Sequence, residues 1–79
     1  MLQVHIEVTD TFGGEANYSW VRRHTIPHKA GESRRSLVRR AKAEMGWTGV
    51  RCEVDEYGDT IRMDQRGACV CCFIETRED

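Results

Sequence analysis

What the chain lacks narrows its class first. No apolar run approaches the roughly 18–20 residues that a membrane-spanning helix needs. The opening MLQVHIEV alternates apolar with polar residues, so it has neither the basic segment nor the apolar core of a secretory signal. These absences predict a cytoplasmic protein that does not enter membranes. No repeat, low-complexity tract or linker divides its 79 residues, which predicts one domain, 1–79, close to the size at which a single core gives marginal stability.

Catalytic motifs are equally scarce. His5, His24 and His28 do not fall at a zinc-protease spacing, and they read as surface or edge-strand histidines. Gly13-Gly14 is not followed by the Lys-Ser/Thr of a phosphate-binding loop. Ser33 and Ser36 have no base nearby in sequence and are better explained by helix capping. Paired carboxylates for acid–base work would have to converge in a pocket, but Asp55, Glu56 and Asp59 cluster in a tight turn where acids stay solvated. The reading is that of a protein that is not an enzyme and carries no cofactor.

Four cysteines are present, three of them in the run Cys69, Cys71, Cys72. Zinc sites favour C-x₂₋₄-C on a turn, where two thiolates converge. On a strand Cys69 and Cys71 share a face and Cys72 points the other way, so the bland reading is preferred: small buried hydrophobes and no metal.

What is present is a clear alternation of patterns. Leu2, Val4, Ile6 and Val8 alternate with polar residues, as on a half-buried strand. Residues 10–14 make a turn whose glycines can take positive φ. A second strand is predicted over 18–26, with Tyr18, Trp20, Arg22, His24 and Ile26 on one face; Pro27 stops it. Residues 32–46 read as a helix, with Leu37, Val38, Ala41 and Met45 on one stripe, Ser33 as N-cap and Gly46 as the left-handed C-terminal residue. Trp47 then folds back over Ala41.

A third strand through Val50, Cys52 and Val54 turns at Tyr57-Gly58, which sets Val54 opposite Ile61 and Cys52 opposite Met63. The fourth strand covers 60–64, Gln65-Arg66-Gly67 turns, and a fifth covers 68–75. Its apolar run ACVCCFI predicts a central place in the sheet, and residues 76–79 read as a frayed tail. The expected fold is α+β, β-β-α-β-β-β: a five-stranded antiparallel sheet with one helix packed on one face. A single helix covers one face only, so Trp20, Cys71 and Phe73 could be left on an open face, suggesting a partner or a homodimer.

A net charge of −1 hides an asymmetry: residues 1–21 carry −3, residues 22–51 carry +7 and residues 52–79 carry −5. Arg35, Arg39 and Lys42 fall on one flank of the helix, and Arg22 and Arg23 precede it on the second strand. Guanidinium groups suit forked contacts with carboxylate or phosphate, and Tyr18 and Trp20 stand beside Arg22 for stacking. The basic set therefore predicts an acidic partner. Overall acidity opposes a long polyanion unless the two signs separate in space.

The segment GGEANYSWVRR (13–23), the basic helix, TGVRCEVDEYGD (48–59) and the closing apolar strand together resemble a group of short phage-encoded proteins. Small phage accessory proteins of this build include inhibitors of host defence, of which anti-CRISPR proteins are the best-known class. The resemblance implies a non-enzymatic inhibitor in the bacterial cytoplasm that binds a host protein complex, a CRISPR effector, and blocks its engagement of target DNA. The contact residues would be Arg22, Arg23, Arg35, Arg39 and Lys42 with Tyr18 and Trp20, or else Asp55, Glu56 and Asp59 mimicking phosphates. The alternative is a small nucleic-acid-binding module using the same basic flank. A monomer and a homodimer both fit this reading.

Overall fold

The computed structural model describes residues 1–65 and 67–79. Arg66, which the sequence places in the turn before the last strand, lies outside the described residues. The elements run β1 (Leu2–Phe12), β2 (Glu15–Pro27), α1 (Arg34–Met45), β3 (Cys52–Tyr57), β4 (Thr60–Gln65) and β5 (Val70–Glu78). The strands form one antiparallel sheet in the order β2-β1-β5-β4-β3, with α1 on one face, so the fold is α+β as the sequence predicts. The apolar run of β5 has the central position expected of it.

The core forms where the period-2 and helical patterns meet. Val4, Ile6 and Val8 of β1, Ile26 of β2, Ile61 and Met63 of β4, and Cys72 and Ile74 of β5 are all buried. Ala41 and Trp47 close over them, with Leu37, Val38, Met45, Val50 and Cys52 packed around the edge. The helix begins at the Ser33 N-cap, whose hydroxyl accepts from Ser36 N–H at 3.2 Å. It ends at Gly46 (φ 75°), where Gly46 N–H donates to Ala43 and Trp47 N–H to Lys42. These are the paired bonds of a Schellman motif, and they turn Trp47 back onto the core.

Three expectations are corrected. The β3–β4 turn is Gly58-Asp59, not Tyr57-Gly58, so Tyr57 pairs Thr60 and Val54 meets Met63. Gly58 (φ 60°) takes the first central place of the turn, the glycine position of a type II′ hairpin. The slip moves each residue's partner by two, which leaves Cys52 and Val54 on the core side. The end of the chain is not frayed: Thr76, Arg77 and Glu78 pair with Val4, Gln3 and Leu2. His5 Nε2 lies 2.8 Å from Asp79 Oδ2, and Asp79 N–H donates to Met1 O at 3.0 Å.

The third correction concerns β2. Its pairing with β1 is regular from Gln3↔Pro27 to Thr9↔Val21, then resumes at Thr11↔Ala16. Asn17, Tyr18, Ser19 and Trp20 therefore stand opposite Asp10 alone, a four-residue bulge. Arg22, His24 and Ile26 do face the helix side, but Tyr18 and Trp20 are not part of that alternation.

Candidate interaction surface

The bulge is organised by one carboxylate. Asp10 Oδ2 accepts from Asn17 Nδ2 (2.9 Å) and Ser19 Oγ (2.6 Å), while Oδ1 accepts from Ser19 N–H (2.9 Å). Donation from Ser19, then from Asn17, holds the Asp10 carboxyl well below the usual range near 3.8. The buried Thr9 hydroxyl donates to Trp20 O at 2.8 Å and fixes the other end. Between these anchors Tyr18 takes φ 56°, the left-handed region that a bulky residue rarely occupies. The backbone is forced there by bonds on both sides.

Large side chains are displayed along this hairpin. Phe12 at the hairpin tip is 80% exposed, Tyr18 in the bulge 54% and Trp20 40%. The Arg22 guanidinium lies 5.6 Å from the Trp20 ring centroid, and no carboxylate pairs with it among the described residues. Arginine stacked on tryptophan is a cation–π arrangement with its donors still free for a partner.

The other basic residues divide into engaged and free. Arg23 lies 3.4 Å from Glu7 across the β1–β2 ladder, and Arg34 pairs with Glu56. Lys42 is committed to the carbonyl of Val50 at 2.6 Å, so the expected flank of Arg35, Arg39 and Lys42 loses its third member. Arg40 makes a forked contact with Glu32, 2.9 and 2.8 Å, and reaches Pro27 O at 2.9 Å. With Ser36 as a further donor at 2.7 Å, that contact lowers the Glu32 carboxyl to about 2. Arg35 and Arg39, one turn apart on the outer side of α1, are exposed and without an ion pair among the described residues.

The face away from the helix is not bare. Thr9 and Cys71 are fully buried on it, and Thr11 N–H bonds to Cys69 O at 2.9 Å. Arg62 spreads over the Phe73 ring (5.7 Å), grips Asp64 with two bonds of 3.0 Å and donates to Gly14 O at 2.8 Å. The hairpin turn is thereby tied to β4. Beside it a groove of about 580 Å³ runs along β3 and β4, lined by Glu53, Asp55, Tyr57, Arg62 and Asp64. Asp55 faces this groove, Glu56 is held by Arg34, and Asp59 sits in the Gly58-Asp59 turn, so the three acids do not form one surface.

Both layers carry charges of both signs, with a small acidic excess on the groove side. Strand positions on the groove side carry Glu7, Glu53, Asp55, Asp64 and Glu75 against Arg23, Arg62 and Arg77. The helix side carries Arg22 and the five cations of α1 against Asp10, Glu32, Glu44, Glu56 and Glu78.

Cys71 and Cys72 are buried as the sequence predicts, but Cys69 precedes β5 instead of lying within it and stays outside the core. Cys72 lies in the core, where burial pushes its thiol up to about 12; burial also raises Cys71 and Cys52, and Cys69 is exposed. No three His, Cys, Asp or Glu side chains converge to hold a metal ion among the described residues. No known family model, curated protein or solved structure matches the chain.

Proposed function

We propose that this chain is a non-enzymatic interaction protein that docks on a partner protein through the β1–β2 hairpin. The observation that carries the reading is the Arg22–Trp20 stack, presented with Tyr18 on a bulge that Asp10 ties down. Tryptophan, tyrosine and arginine are the residues on which interface energy concentrates, and an ordered loop loses little entropy when it binds. Arg35 and Arg39 offer further exposed cations on α1, favouring acidic groups on the partner. The CRISPR-effector inhibitor implied by the phage-protein resemblance is one member of this class.

The test uses a purified multi-subunit CRISPR effector and its labelled target DNA. The wild-type chain should co-elute with the effector and reduce DNA retention, and Trp20→Ala and Arg22→Ala should each lose most of the effect while keeping the wild-type circular dichroism. Wild-type and variants behaving alike would remove the hairpin from the interface.

A second reading, nucleic-acid binding, is favoured by Arg35 and Arg39, exposed on α1 without an ion pair among the described residues and suited to phosphate contacts. Titration of labelled DNA and RNA at two salt concentrations separates the readings. Affinity that falls steeply with salt supports the second.

A further inference from the structure

The two edges of the sheet differ in kind. The β2 edge is interrupted by the four-residue bulge and ends at Pro27, both of which obstruct pairing with another strand. The β3 edge is regular: six residues, no bulge, no proline and no lysine. Because Tyr57 and Thr60 close a two-residue hairpin, they exchange both backbone bonds. The backbone groups of Tyr57, Asp55 and Glu53 therefore turn toward β4, and those of Val54 and Glu56 turn outward. No strand meets them among the described residues.

We propose that β3 accepts an extended, basic segment of a partner protein as a sixth strand, with alternating Lys/Arg and apolar side chains. The outward N–H and C=O groups of Val54 and Glu56 would supply the ladder. Side-chain chemistry selects the occupant. Every charged residue of β3 is an acid, and on the groove side Asp55 has no ion pair among the described residues. A basic side chain beside Asp55 is favoured. A second copy of β3 would bring acid against acid and is rejected. On the helix side Val54 is 42% exposed and offers an apolar contact to the intervening residue. The site uses none of Tyr18, Trp20 and Arg22, so it stands or falls independently of the proposed hairpin interface.

The probe is the blocked hexapeptide acetyl-Lys-Val-Lys-Val-Lys-Val-amide, with the Glu-for-Lys version as its opposite. Amide hydrogen exchange is followed on the labelled wild-type chain. Saturating Lys peptide should slow exchange at Val54 and Glu56 by roughly tenfold or more, and the Glu peptide should leave both unchanged. Asp55→Asn should weaken the Lys peptide by about two- to fivefold. Val54→Pro, which removes an outward donor at an edge that tolerates proline, should abolish the effect at Glu56. No slowing at Val54 and Glu56, equal slowing by both peptides, or undiminished binding to Asp55→Asn would each overturn the proposal.

Discussion

Ser19 gives Asp10 two hydrogen bonds, one from its backbone N–H at 2.9 Å and one from its hydroxyl at 2.6 Å. One aspartate thus takes up a backbone donor of the bulge and ties down the side chains of Asn17 and Ser19 beside it.

Asp10→Asn should loosen that bulge. An amide has one acceptor oxygen where the carboxylate has two, so the three donations to Asp10 cannot all survive. The expected result is a lower melting temperature and faster amide exchange at Ser19 and Trp20, with β3–β5 unaffected. The wild-type chain should show the same loosening with acid. The folded Asp10 carboxyl is depressed, so its stabilisation is present above its ordinary value of 3.8 and is lost as pH falls below it. Exchange at Ser19 measured between pH 5 and about 2 checks the direction.

Arg40 and Arg39 are neighbours in sequence with opposite expected sensitivities. Arg40→Ala strands the Glu32 carboxylate and frees Pro27 O, whereas Arg39→Ala removes only an exposed side chain. Thermal unfolding should therefore drop clearly for Arg40→Ala and stay near wild type for Arg39→Ala. Glu32 contributes fully above its ordinary 4.5 and progressively less toward about 2. The gap between wild type and Glu32→Gln should accordingly close as pH falls through that window.

Gly46→Ala tests the helix end. A Cβ at Gly46 would meet nothing within 4 Å, so the cost is purely conformational, from the φ of 75°. It should be about 1–2 kcal/mol. In a domain of this size each kcal/mol shifts the melting temperature by roughly 4–8 °C. A melting temperature equal to wild type would sink this account of the Schellman turn.

The cysteines should react in order of access. Cys69 is exposed and should label first with a thiol reagent, with half-buried Cys52 slower. Cys71 and Cys72 combine full burial with raised thiol pKa values, so they should react only on unfolding. Mass spectrometry of partly labelled protein reads the order directly.

Much of the fold was legible because burial and periodicity coincide. Val4, Ile6 and Val8 announce their face by alternation, Leu37 to Met45 by helical spacing, and Ser33 and Gly46 mark the ends of α1. The bulge has no compositional mark, since Tyr, Ser and Trp between Ala16 and Val21 look like ordinary strand. A signal was present. Closing the hairpin at Gly13-Gly14 without interruption would set Arg23 against Val4, while burial of Val4 calls for an apolar neighbour such as Ile26. The offset of three residues is the insertion. The tail reads as frayed because Thr76 to Glu78 include no apolar residue, yet β1 offers a ladder partner to each. Which cations are free was not legible at all: Lys42 and Arg40 lose their freedom to backbone carbonyls of Val50 and Pro27 that only folding brings near.

Arg35 and Arg39 stand exposed on the helix while acids outnumber bases along the groove, so the molecule shows both signs to its surroundings despite a net charge of only −1. A protein of that kind turns as it approaches a charged object and presents whichever side attracts. Near its isoelectric point of about 6.3 it should be retained by both cation- and anion-exchange resins, one holding it by the helix and the other by the groove.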